Sequence, residues 1–298
     1  MTTYTGSSTS TVDIQGLRRR SSRPRDIFNL VMTGLSTLCM VITLIPLFLV
    51  LAFVLVQGIG AISPGLLTQL PPPPGLDGGG IGNALIGTIV VVFVGTAIAV
   101  PFGVLAAVYL SEFSKDNVLA EWVRFFTNVL SGVPSIIAGV FVYALLVVTG
   151  VTGYAAFAGG VALAVLMLPT IIRTTDEALN IIPQEIRWAA IGVGSSRYQT
   201  VLQIVLPAAV PSILTGVTLA IARAAGETAP LIFTALFSQF WPSGLFDPIA
   251  TLSVLVYNFA IVPFKPQQEL AWAGSLILVL LVLLTSVTAR IVTSQKKF

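Results

Sequence analysis

The stretch Arg173–Pro230, RTTDEALNIIPQEIRWAAIGVGSSRYQTVLQIVLPAAVPSILTGVTLAIARAAGETAP, joins a polar segment to an apolar one that carries two opposite charges. Its first half reads as a folded loop. Thr174 and Glu177 have capping-box spacing, Pro183 suits the first turn of a helix, and Ser196 with Gln199 repeats the box. Its second half opens an apolar run from Ala208 to Phe240 that is long enough to cross a membrane. Arg223 and Glu227 stand one helical turn apart in that run and are expected on one face. Charges at such depth face protein or water.

Composition points the same way. Hydrophobic residues make up 55% of the 298-residue chain and charged ones only 9%, against about a quarter in an ordinary soluble domain. That makes an integral membrane protein of the all-α class. The net charge of +3 is too small to argue for nucleic acid. With no His and one Cys, Cys39, there is no internal disulfide and no imidazole or thiolate metal cluster. Cys39 lies within an apolar run and reads as a small hydrophobe.

Six crossings account for the pattern. Residues 1–26 form a Ser/Thr- and Arg-rich tail, expected to be disordered and cytoplasmic. The run Ile27–Gln57 is too long for a signal-peptide core, so it is retained as the first helix. Gly58–Gly82, with Pro71–Pro74 and Gly78–Gly80, is an external loop. The second helix, Asn83–Leu110, is expected to bend at Pro101 where Gly103 leaves room, and it ends in a charged loop holding Glu112, Lys115, Asp116 and Glu121. From Arg124 to Arg173 no charge occurs, which two helices must share, with a kink at Ser131–Ser135 and a turn at Thr149–Gly153. The fourth helix is expected over Tyr154–Ile172, the fifth over the run from Ala208, and the last over Leu270–Ala289, giving a permease-like domain over 27–290 and a tail at 291–298. Ile249–Val262, bounded by prolines, reads as a re-entrant or interfacial helix.

Charge asymmetry orients this layout. With both termini inside, Arg18, Arg19, Arg20, Arg23, Arg25, Lys115, Arg124, Arg173, Arg187, Arg197, Arg290, Lys296 and Lys297 fall on the inner side, and Lys265 alone falls outside. The segment 173–203 is therefore expected in the cytoplasm.

Within it, Ala189, Ala190, Gly194, Ile204, Leu206 and Pro207 reproduce the spacing of the EAA loop of ABC importer permeases. Small residues there let a helix sit deep in a partner's groove, and Gly194 permits a sharp change of direction. Trp188 stands where that family has an acidic residue. The plainer alternative is an interfacial helix that uses alanine for propensity alone.

Further phrases narrow the resemblance: GGIGN at 79–83, PFGVLAAVYLSEF at 101–113, LSGVPSIIAGVF at 130–141, LPTIIRTTDEAL at 168–179 and ARAAGETAPLIFTAL at 222–236. Together they resemble the PstA family, the permease subunits of bacterial phosphate ABC importers. The resemblance implies a six-helix, MetI-like type I permease in the bacterial inner membrane. It implies a homologous PstC-like permease, two copies of a PstB-like ATPase and an external PstS-like phosphate-binding protein as partners. Glu185, Arg187, Trp188, Ala189, Ala190 and Gly194 would then meet the ATPase. This chain has no G-x-x-x-x-G-K-[ST] loop, so ATP and Mg would be bound by the partner.

The residues argue separately for an anionic cargo. Counted from Pro207, Arg223 lies about 24 Å along a helix, near or beyond the midplane. Its guanidinium offers paired donors to a tetrahedral oxyanion, and Glu227 can hold it between loads. Thr228 and Thr234 add hydroxyls along the path, and Arg173, at the inner mouth, either attracts and releases anions or marks a helix end. A structural ion pair is the alternative for Arg223 and Glu227. Sulfate or molybdate permeases, and more remotely a secondary anion transporter, share these features. A membrane enzyme does not fit, since no nucleophile, base or metal cluster is visible.

Overall fold

The computed structural model describes residues 24–114 and 117–294. Residues 1–23, Lys115, Asp116 and 295–298 lie outside the described residues, and with them most of both expected tails. Among the described residues every regular element is helical.

The chain divides into two compact units at Phe53 and Val54. In the first, α1 (Pro24–Gly60) contributes residues 24–53, with apolar side chains exposed on every side. A helix that is hydrophobic all round needs lipid or other helices about it.

The second unit is arranged on α5 (Ala156–Asn180), packed between α2 (Gly82–Val108) and α8 (Leu206–Ala225). Small residues permit the approach. A Cβ on Gly160 would stand 2.4 Å from Val94 Cγ1, and one on Gly216 would stand 2.2 Å from Thr174 Oγ1. Val91, Leu163, Met167, Ile171 and Val217 fill the shared interior. Gly103 serves this packing too: α2 continues through Pro101 to Val108, and Gly103 faces Ile171 at 2.7 Å from an added Cβ.

The expected kink at Ser131–Ser135 is a full break. Helix α3 (Val118–Gly132) and α4 (Ser135–Val142) meet at 110°. Val133 is driven extended (ψ 128°) by the proline that follows, and Pro134 cannot donate to a continuing helix. Among the described residues five helices are therefore long and apolar enough to span a membrane, with the bent pair supplying the sixth if it counts as one span.

Two boundaries also differ from expectation. The fourth span does not end at Ile172: α5 runs on to Asn180, so Arg173 is inside a helix and Thr174 is no cap. The Thr174 hydroxyl instead donates to the Thr170 carbonyl one turn back, the usual fate of a threonine inside a helix. The fifth span stops at Ala225 instead of running to Phe240. Gly226 ends it, and Pro230 near the start of α9 (Ala229–Thr234) forbids simple continuation.

The segment from Thr234 to Ile249 returns to cap α5. Carbonyls of Thr234, Asp247 and Leu245 accept from the backbone N–H groups of Ala155, Ala156 and Phe157, and Ala235 accepts from Ile249. These bonds satisfy donors that a helix start otherwise leaves unpaired. The Ile249–Val262 region forms α10 (Leu252–Ala260), too short to cross. Leu252 and Leu255 are fully buried, and the Thr88 hydroxyl on α2 accepts from the Leu252 N–H at 2.8 Å. The last helix, α11 (Lys265–Ser294), packs on α10 and α8.

Gly87 tests this packing, since a Cβ there would lie 1.8 Å from the Ala250 carbonyl oxygen, a backbone atom that cannot swing aside. Gly87→Ala should destabilise the protein by about 1–3 kcal/mol. Gly34→Ala, with nothing within 4 Å, should be neutral or stabilise by about 0.5–1 kcal/mol. Thermal unfolding of the two purified variants in detergent checks both.

Candidate functional site

Past the end of α5 the chain folds into two short helices. Pro183 precedes α6 (Gln184–Gly192), and Ser196 precedes α7 (Arg197–Thr200). The capping box expected at Ser196 and Gln199 forms in both directions. Gly194 has φ +94°, a conformation that favours glycine. Its N–H donates to Ile191 and the N–H of Ser195 donates to Ala190, a Schellman closure of α6. That closure reverses the chain from α6 toward α7, which continues through a π-helical turn (Val201–Val205) into α8.

Helix α6 has two unlike faces. Glu185, Trp188 and Ala189 are exposed, as are Ile191 and Val193 beside them. Arg187 and Ala190, three residues apart, are buried. Arg187 turns inward to Glu112, where Nη2 and Nε donate to the two carboxylate oxygens at 2.6 and 3.2 Å. The same guanidinium donates to the Ile182 carbonyl at 2.6 Å and the Leu179 carbonyl at 2.9 Å. Glu112 was expected in a charged loop but sits in a π-helical turn (Tyr109–Phe113) that prolongs α2, only 6% exposed. Arg197 donates to the Glu112 carbonyl and lies over the Phe113 ring, 5.6 Å from its centroid. Neither Glu112 nor Arg197 was singled out from the sequence. The available signal was a lone carboxylate ending an apolar helix, and an arginine sharing a helical face with a small buried residue.

The second grouping lies where α8 meets α5. A shallow, open recess is lined by Leu166, Met167, Thr170, Ala220, Arg223, Ala224 and Glu227. Arg223 stands in the last turn of α8, where its positive charge meets the negative end of the helix dipole. Its Nε donates to Glu227, just beyond the helix end, at 3.4 Å. Its side chain is 62% exposed and that of Glu227 only 17%. Among the described residues the two Nη groups of Arg223 make no hydrogen bond.

Thr228 precedes α9 without a side-chain capping bond, half-buried next to Glu227. Thr234 is completely buried, and its hydroxyl donates to the Pro230 carbonyl. Arg173 lies one turn past Thr170 on α5, exposed and 3.1 Å from Glu177. Arg223 and Glu227 are thus brought together, while Thr228 and Thr234 are not among the residues lining the recess. The α6 residues form a separate group, and Arg173 lies outside the recess lining. No group of metal-ligating residues occurs among the described residues.

This fold and these two sites belong to a membrane permease. A family model described as "binding-protein-dependent transport system inner membrane component" matches residues 99–297, and the chain belongs to that family. Two solved structures share the fold. A bacterial ABC transporter involved in the import of the acidic polysaccharide alginate aligns with TM-score 0.65 and 12% identity, over 92% of this chain and 99% of that one. The MetNI methionine ABC transporter, in inward-facing form, aligns at 0.59 and 22%, over 73% and 94%.

Within the family the chain is of the PstA type. It is 41% identical to the phosphate transport system permease protein PstA of Yersinia pestis over 94% of this chain and 95% of that protein. Against PstA of Haemophilus influenzae the identity is 42%, over 92% and 96%.

The reversal after α6 depends on one glycine. Gly194→Ala should destabilise the protein by about 1–2 kcal/mol through its left-handed backbone, whereas Gly192→Ala, inside the helix with open space around it, should not. Chemical or thermal denaturation of the two variants makes the comparison.

Proposed function

We propose that this chain, a permease subunit of the PstA type, moves inorganic phosphate inward by alternating access in an ATP-driven importer. The observation that carries the reading is the Arg223 guanidinium: charged, exposed into a recess, backed by a poorly exposed carboxylate, and with its planar donor pair uncommitted. A fork of that kind suits the oxygens of phosphate, and Glu227 holds it when no anion is bound. The Thr170 hydroxyl supplies a further donor beside it, and Thr228 follows Glu227 in the chain. Arg173, about one turn farther along α5, offers a second positive charge toward the inner mouth.

In this reading both termini are cytoplasmic and the subunit pairs with a homologous PstC-like permease. Two PstB-like ATPases bind ATP and Mg beneath them, and a PstS-like binding protein delivers phosphate from outside. Glu185, Trp188 and Ala189 meet the ATPase, because their face of α6 is open and carries exposed aromatic and aliphatic surface. Arg187, Ala190 and Gly194 set the shape of that face from within. Nucleotide-dependent movement of α6 then tilts α8, through α7, and switches access to Arg223. Sulfate and molybdate remain the competing oxyanions, and phosphate is preferred because the relatives at about 40% identity are phosphate permeases.

Two experiments test the reading. In the reconstituted complex, Arg223→Gln should lower phosphate uptake about a hundredfold with assembly intact, and Arg223→Lys, which keeps charge without the fork, about tenfold. Undiminished uptake by Arg223→Gln, or equal competition by sulfate or molybdate, contradicts it. Ala189→Glu should abolish stimulation of the ATPase by the binding protein. Persistence of that stimulation would remove α6 from the docking surface.

A further inference from the structure

The buried pair between α2 and α6 is not needed to line a path or to dock a partner. It lies at a junction of four elements. Glu112 belongs to the π-helical end of α2, and such widened turns recur where a helix is re-aimed for function. Arg187 belongs to α6 and also closes the end of α5, through the Leu179 and Ile182 carbonyls. Arg197, at the start of α7, holds the Glu112 carbonyl and covers Phe113. Both charged side chains are less than one-tenth exposed. Four of the five donor hydrogens of Arg187 are matched, and the carboxylate accepts at both oxygens.

We propose that Glu112 and Arg187 are positioning residues forming a mechanical joint, through which displacement of α6 is transmitted directly to α2 and the end of α5. The chain itself leads from α6 back to α5 and on to α7 and α8, but not to α2. Without the joint, a push on α6 would reach α5 and α8 through the backbone and leave the end of α2 without a direct hold. With it, α2, α5 and α6 move as one body, so that α8 shifts together with the helix against which the Arg223 recess is formed. Coupling then depends on a discrete, buried contact that both ends share.

The inference rests on the reading that α6 meets a nucleotide-hydrolysing partner. Its test uses the whole complex in vesicles and records phosphate taken up per ATP hydrolysed. Glu112→Ala should lower that ratio about tenfold while hydrolysis continues. Arg187→Lys, which keeps the charge but loses the fork, should give a smaller fall. Where Glu112→Ala does not assemble, Glu112→Gln, nearly identical in volume, carries the same measurement. Spin labels at exposed Leu105 on α2 and Val193 after α6, on a Cys39→Ser background, read the geometry. Their separation should hold within about 2 Å between the ATP-bound and nucleotide-free complex, and vary by more in the Glu112 variant. An unchanged uptake-to-hydrolysis ratio in the Glu112 variants, or a Leu105–Val193 distance that changes equally in both proteins, overturns the joint alone. Absence of ATP-dependent uptake by the unsubstituted complex overturns the functional reading and the joint with it.

Discussion

Close approach to α5 is the constraint from which the rest of the second unit follows. In lipid the surroundings of a helix are as apolar as its own side chains, so helices gain little by hiding hydrophobic surface from one another. They associate through tight packing, and tight packing requires small residues at the crossing points. Gly160 on α5, facing α2, and Gly216 on α8, facing α5, supply them, and neither position has room for a methyl group without moving a neighbour. Because α5 is enclosed in this way, its extension past Ile172 is carried out with it, and that extension delivers the Leu179 and Ile182 carbonyls to Arg187.

Much of this architecture was readable from residue pattern, and the failures have common physical causes. Ser196 and Gln199 cap a helix as their spacing says, and Gly194 adopts the left-handed turn that only glycine tolerates cheaply. Thr174 and Glu177 have the same spacing but lie inside α5. A capping box is a local preference, and nothing between Ile172 and Asn180 breaks a helix, so continuation wins. At Pro134 the proline was noticed, yet its effect on the preceding residue turns a bend into a break. At Gly226 and Pro230 the stop signals were present, but the apolar run around them was read as one span.

The candidate site was legible where the chemistry is unusual and illegible where it is paired across long sequence separation. Arg223 stood out because an arginine in an apolar run demands a reason, and the structure gives it a recess and a carboxylate. Glu112 and Arg187 are 75 residues apart; Glu112 was expected in a charged loop and Arg187 at a partner's surface, and neither position announces the other. Only the packing of α2 against α5 brings them together. For the same reason Ala190, which its spacing grouped with Ala189, faces the interior with Arg187, while Ala189 stays open.

Arg–Glu chemistry is thus used twice, with burial deciding what each pair can do. Breaking a buried, bidentate pair leaves a charge without water or partner, a penalty of about 3–5 kcal/mol, although such pairs contribute little net stability over an apolar replacement. The Glu112–Arg187 contact is therefore poorly suited to adding stability and well suited to holding one geometry. The Arg223–Glu227 contact is longer, single and exposed on the arginine side, and pairs of that kind contribute about 0–1 kcal/mol. An anion with several oxygens can displace Glu227 from such a contact, and Glu227 can take the guanidinium back once the anion leaves. One pair is built to stay closed and the other to open, and under the proposed cycle a load would be exchanged at Arg223 without loosening the Glu112–Arg187 junction.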